Sequence, residues 1–264
     1  MSRLINFRAL WAFFLRELHA ATLNRFVYFF CGVSLLAGFV PLWADPAGGA
    51  AGTAAHTLLQ ASLYLVSLFA LLTGVGSAQN EEEEQPFLMT QPVGRGCRVV
   101  SKFAALWLIT GAATVLLVLP SIIAGAEMLW LLWRHAFGLG GVFVALGLAV
   151  GFSIGDRVKA HMTGLCVWLG LLVGSDLLAL ATAKAGLAES HPQAWLALLM
   201  ANPLDALRIG VLLEIGRIPF ETESAPPLGR WWLTHLGLWF ACLCTCWMLL
   251  SLAWSRFRLE RREF

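Results

Sequence analysis

A serine set between glycines, a trio of thiols and a carboxylate inside an apolar run are the features of this chain that first suggest chemistry. Gly151-Phe152-Ser153-Ile154-Gly155 fits Gly-x-Ser-x-Gly, the pattern that lifts a nucleophilic hydroxyl onto a sharp strand-to-helix turn. Here it falls at the end of an apolar helical run, and an intramembrane serine protease using His235 as base would want glycine where Ile154 stands. Cys242, Cys244 and Cys246 would suit a soft-metal or sulfur relay, yet on a helix Cys242 and Cys246 share a face while Cys244 points away. The six histidines are scattered, with no His-Glu-x-x-His pair for zinc and no Gly-x-x-x-x-Gly-Lys-Ser/Thr loop for ATP. The sequence therefore assigns no catalytic residue, no metal ligand and no directly bound cofactor.

Asp176 is different, because an ionisable group deep in a membrane-length run faces a cavity or a partner rather than lipid. It reads as lining a translocation path or a dimer interface, against the plainer alternative of a buried helix-to-helix hydrogen bond. The second informative segment is 79–102, charged and marked by proline between two long apolar runs. Glu81, Glu82, Glu83 and Glu84 precede Pro86, Phe87, Leu88 and Met89, and Pro92 leads to a basic turn at Arg95. Pro86 suits the first turn of a short helix, with the glutamates just ahead of its positive N-terminal end. The pattern suggests a coupling helix that touches something outside the membrane; a solvated acidic loop is the alternative.

The elements that must position these residues are membrane helices. The chain is 59% hydrophobic and 13% charged with mean hydropathy +0.74, too apolar for a soluble domain of 264 residues. Runs sufficient for a hydrocarbon core of about 30 Å appear at 26–43, 57–78, 103–124, 136–154, 162–182 and 231–254. A seventh run, 195–213, carries Asn202, Pro203, Asp205 and Arg208 near its middle, and ionisable groups there cost about 2.5 to 3.5 kcal/mol each. It reads as helices lying at or dipping into the outer interface, within an outer loop 183–230 that acts as a lid or binds an outer partner.

Six spans put thirteen of the 18 basic residues on one side and five on the other. By the positive-inside rule both termini and the 79–102 loop are cytoplasmic. The net charge of +2 is thus a topology signal, with no basic patch to bind nucleic acid. Leu4, Phe7, Trp11, Phe14, Leu15 and Leu18 recur at helical spacing, which predicts an amphipathic helix at about 3–20 in the inner leaflet boundary, retained rather than cleaved as a signal peptide. No cysteine is placed to form an outer disulfide.

Four stretches carry a family resemblance: Arg16-Glu17-Leu18 followed by Asn24-Arg25-Phe26; Pro92 to Phe103; Ser175-Asp176-Leu177-Leu178; and Trp195 to Arg208 around Asn202-Pro203-Leu204-Asp205. In this order they resemble ABC-2 type transporter permeases, in particular those serving nitrous oxide reductase maturation. The resemblance implies an all-α integral membrane protein with the six transmembrane helices of ABC-2 (type V exporter-like) architecture and an N-terminal amphipathic elbow helix. It implies a permease subunit in the bacterial inner membrane, paired with a second copy as a homodimer and seated on two copies of a cytoplasmic ATPase that binds ATP and Mg. Glu81 to Glu84, Pro86 to Met89, Pro92 and Arg95 would then form the ATPase contact, with Arg16, Glu17, Asn24 and Arg25 in the elbow. It also implies export of a small species or mechanical signalling toward maturation of a periplasmic metalloenzyme or cytochrome, with a periplasmic partner protein. Where the family has a glycine-containing stretch after its acidic residues, this chain has Glu84-Gln85-Pro86. A non-transporting membrane scaffold is the alternative from another class.

Overall fold

Several helices of this protein begin where the sequence supplies a start signal. Asn24 accepts the Phe26 N–H on Oδ1 at 2.9 Å, and Asp156 accepts the Lys159 N–H at 2.9 Å, each satisfying an otherwise orphaned first-turn donor. Pro192, Pro203 and Pro227 each open a helix, where their missing N–H is no loss. The computed structural model describes residues 7–44, 51–88, 94–125, 129–214 and 227–261, all in helices and short connections, with no strand among them.

The elbow helix α1 spans Phe7–Thr22 and span 1 is α2, Arg25–Ala44. Span 2 is built from α3 (Ala51–Ala61), a π-helical turn at Ser62–Val66 and α4 (Ser67–Leu88). Span 3 is α5 (Arg95–Ile123) and span 4 is α6 (Leu129–Ser153). Span 5 joins α7 (Arg157–Leu169), a second π-helical turn at Gly170–Gly174 and α8 (Ser175–Lys184). The short α9 (Leu187–Ser190), then α10 (Pro192–Ala201), α11 (Pro203–Glu214) and α12 (Pro227–Thr234) precede span 6, α13 (Leu236–Arg261).

Among the described residues six helices are long and apolar enough to cross a membrane: Arg25–Trp43, Ala54–Asn80, Gly96–Ile123, Trp130–Ser153, Arg157–Lys184 and Leu236–Arg261. They coincide with the six expected runs. The seventh run is a pair, α10 and α11, bent by 105° at Asn202. That angle fits two helices dipping and returning, as the ionisable residues require.

Three boundaries differ from expectation. Pro86 does not open a separate helix: α4 runs on through Glu81 to Glu84 and ends at Leu88. Glutamate and glutamine are good helix formers, and a proline in the last turn sacrifices one bond only. The acidic run therefore sits in the last turns of span 2's helix, not ahead of an N-terminus. Trp231 to Thr234 belong to α12, split from span 6 at His235. At the other end span 6 continues through Arg256, Arg258 and Arg261, with the interfacial Arg256 bonded to Glu260 at 2.8 Å.

Spans 2, 3 and 4 form the core. The apolar window of span 4 is 72% buried against 11% for span 5. Glycine makes the closest contact: a Cβ on Gly147 would lie 2.2 Å from Leu71 O, and one on Gly74 would lie 2.5 Å from Val144 O. Without a hydrophobic drive between helices in lipid, such backbone approach is what binds spans 2 and 4. Span 1 packs on this core through Phe30, whose ring stacks on Phe69 at 4.8 Å.

Candidate functional site

Two polar clusters lie at opposite ends of the bundle. At the elbow end, Lys102 at the start of span 3 holds Glu17 Oε2 at 2.7 Å, the two side chains being 5% and 12% exposed. Its ammonium also donates to Ser77 Oγ at 3.1 Å and Ser77 O at 3.4 Å. The Ser101 hydroxyl bonds Leu10 O at 3.2 Å. One buried cation thus ties the elbow, span 2 and span 3 together. Arg16, Glu17, Asn24, Ser77, Asn80 and Lys102 line a cavity of about 100 Å³ at this joint. Arg25 is the exposed first residue of span 1.

A residue that the motif reading passed over completes the joint. Gln79 is buried and donates its amide to Gly151 O and Ile154 O, both at 2.7 Å, covering the open carbonyls where span 4 ends. Arg258 of span 6 donates to Ser153 O there at 2.8 Å, a cation at a helix C-terminus where the dipole favours it. Its signal in the sequence was a lone glutamine closing an apolar run beside four glutamates. Directly beyond it, Glu81 to Glu84, Pro86, Phe87 and Leu88 continue α4, and Arg95 is the first residue of α5. Met89 and Pro92 lie outside the described residues.

The other cluster joins two motifs that the sequence kept apart. Arg208 of α11 donates to both oxygens of Asp176 in span 5, at 3.2 and 3.3 Å, and stands 3.7 Å from Asp205. At the 105° bend the Asn202 amide nitrogen lies 2.7 Å from Asp205 Oδ2, 2.8 Å from Ser175 Oγ and 2.8 Å from Leu171 O, three acceptors that share its two hydrogens. Its own Oδ1 accepts the Leu204 N–H at 3.2 Å, which starts α11 immediately at Pro203. Asp176 is therefore half exposed and ion-paired rather than buried between helices. Indole donors secure the bend from the side: Trp239 to Met200 O at 3.2 Å and Trp247 to Ala201 O at 3.1 Å. Beside it opens an apolar cavity of about 530 Å³ between span 5, α10 and Trp247, with Asn202 and Asp205 in its wall.

The residues that suggested chemistry do not assemble. Ser153 donates to Ala149 O at 2.6 Å and accepts the Trp254 indole at 3.0 Å. His235 lies at the opposite end of span 6 from Trp254, about 28 Å away at 1.5 Å per residue. Ser153 and His235 therefore form no catalytic pair. Cys244 is buried while Cys242 and Cys246 are exposed, and no group of three or more His, Cys, Asp or Glu that could hold a metal stands among the described residues.

No family model matches the chain. It is similar to two curated proteins, each named as a probable ABC transporter permease protein NosY. The one from Stutzerimonas stutzeri is 28% identical over 169 residues, 58% of this chain and 60% of its own length. The one from Pseudomonas aeruginosa is 28% identical over 205 residues, 69% of this chain and 74% of its own length. The chain thus spans under two thirds of the first relative and about three quarters of the second.

Proposed function

We propose that this membrane protein, which resembles NosY-type ABC transporter permeases, is the permease subunit of an ABC transporter with ABC-2 architecture. The observation that carries the reading is the single helix α4, which runs from inside the bundle through Glu81 to Glu84 and on to Leu88, and is anchored at Ser77 and Gln79 on both sides. A push on the segment 81–95 is delivered to span 2, to span 3 and the elbow through Lys102, and to the end of span 4 through Gln79. The likeness of the relatives supports a partner ATPase as the source of that push, with ATP and Mg bound there.

The finer assignment follows the charge pattern and the resemblance. The chain sits in the bacterial inner membrane with the elbow end and both termini cytoplasmic, since the elbow end gathers most of the basic residues. Two copies pair across the lightly buried span 5 and rest on two ATPases. ATP-driven closure brings the paired 81–95 segments together, the interlocked spans 2 and 4 tilt as one body, and span 5 with the bent pair changes access at the outer end. The output is export of a small species or a mechanical signal to a periplasmic partner, toward maturation of a metalloenzyme or cytochrome.

The test is to solubilise the tagged chain gently from its native membrane, identify what remains bound, and assay ATP hydrolysis. Recovery of an ATPase with a phosphate-binding loop at about one copy per chain is expected, with Phe87→Asp leaving the chain inserted but separating ATP turnover from output. A stable chain recovered alone and without ATPase activity would replace the permease by a membrane scaffold.

A further inference from the structure

A π-helical turn holds one residue more than an α-helical one, and well under one residue in a hundred adopts it. Spans 2 and 5 each contain one, at Ser62–Val66 and Gly170–Gly174, and each is followed at once by a serine. In span 5 the Ser175 N–H reaches back five residues to Gly170 O. The carbonyl it would meet in an α-helix, Leu171 O, instead takes the Ser175 hydroxyl at 2.7 Å. In span 2 the Ser67 N–H turns to Tyr64 O and the Ser67 hydroxyl takes Leu63 O. Each hydroxyl thus bonds the carbonyl four residues back, the one that its own N–H has turned away from.

Each serine oxygen is in turn held from another element. Trp168, two residues before the span 5 turn, donates its indole N–H to Ser67 Oγ at 2.8 Å. Asn202, at the bend of α10 and α11, donates to Ser175 Oγ at 2.8 Å and to Leu171 O at 2.8 Å. The π turn of span 2 is therefore braced by span 5, and the π turn of span 5 by the bent pair. A helix that expels its extra residue shifts everything beyond by about 1.5 Å and 100°, and either brace opposes that step.

We infer that Trp168 is a positioning residue that couples the two π turns and that Asn202 ties the span 5 turn to the bent pair, so that spans 2 and 5 change register together and carry the bent pair with them. This deepens the permease reading and rests on it for its use; its geometry stands independently. Relaxation of the span 2 turn swings the Ser67 hydroxyl off Leu63 O and removes the Trp168 acceptor, which frees the span 5 turn next to it.

The experiment is hydrogen exchange on the purified full-length chain in lipid nanodiscs, read at 62–67 and 170–175. Trp168→Phe keeps the ring and removes the donor; it is expected to speed exchange at 62–67 about fivefold, the factor that one net hydrogen bond represents. Ser67→Ala should speed exchange at 170–175 by a similar factor, and the double variant should exceed neither. Trp107→Phe, which removes an indole bond to Phe137 O elsewhere in the bundle, should leave both segments unchanged. Unchanged exchange at 62–67 in Trp168→Phe, or additive effects in the double variant, would overturn the coupling. Should Trp168→Phe fail to fold, Ser67→Ala read at 170–175 decides the matter alone. In the complex with its ATPase, nucleotide trapping should alter both segments in the wild type and uncouple them in Ser67→Ala. A chain that binds no ATPase refutes the permease reading while leaving the exchange result in force.

Discussion

Lys102 is the residue on which most elements depend. Its ammonium is buried at the junction of the elbow, span 2 and span 3, and its partner Glu17 is nearly as enclosed. Removing one member of a buried pair strands the other charge, at about 3–5 kcal/mol. Lys102→Met should therefore lower the thermal midpoint of the detergent-purified protein severely, and the swap Glu17→Lys with Lys102→Glu should recover part of the loss. A midpoint within error of wild type in Lys102→Met would show that the joint is not structural. Asp176 and Arg208 behave otherwise, because their pair is half exposed and such pairs add little stability. Asp176→Asn and Arg208→Gln should each leave the midpoint nearly unchanged and, under the proposed permease function, reduce ATP-driven output equally, with the double variant no worse than either. Unequal or additive defects would mean the two do not act as one latch. Sequence reading found Asp176 and the Asn202 to Arg208 motif separately, each through the cost of charge in an apolar run. Their meeting was not legible, since it depends on a 105° bend that no local pattern encodes. Gln79 and Trp168 escaped notice for a related reason: a lone side chain that donates to another helix, to carbonyls at the end of span 4 or to the Ser67 hydroxyl oxygen, leaves no spacing signature of its own.

At the scale of elements, each of the six runs expected from length and hydropathy overlaps one of the six long apolar helices among the described residues, because a bilayer imposes one length on every crossing. What length and hydropathy could not locate were ends set by helix propensity beyond the bilayer. The extension of α4 to Leu88 and the separation of α12 from span 6 are of this kind. Span 4 is rich in glycine, and nothing in the spacing of these residues says which of them support close contact. The structure singles out Gly147, whose absent Cβ leaves room for Leu71 O. Gly147→Val should force spans 2 and 4 apart, costing about 3 kcal/mol at the upper end of overpacking effects, and should appear as loss of folded protein by size-exclusion analysis. Gly210→Ala is the contrasting case: apart from its chain neighbours and its own helix backbone, no atom lies within 4 Å of its added methyl, and in mid-helix it should stabilise by about 0.5–1 kcal/mol. If Gly147→Val were as well folded as Gly210→Ala, the pairing of spans 2 and 4 as one rigid body would have to be abandoned.

The whole molecule is asymmetric in what it buries. Spans 2, 3 and 4 enclose one another, whereas span 5 shows Leu177, Leu178 and Leu180 outward beside the half-exposed Asp176. Lipid covers exposed leucines at no cost, but a carboxylate at that edge favours protein or water over hydrocarbon. The outer face of span 3, with Leu119, carries no such group and suits lipid. The two faces make different claims about assembly, and cysteine crosslinking separates them. On a background with the six native cysteines replaced, Leu177→Cys should form a disulfide between two copies in native membranes if the proposed two-fold axis runs beside span 5, since such an axis would bring the same position of both copies together. Leu119→Cys should remain monomeric under identical oxidation. Crosslinking at 119 in preference to 177 would move the axis to span 3 and place Asp176, its arginine latch and the 530 Å³ cavity at a lipid-facing margin. The route of any transported species would then have to be sought within one copy instead of between two.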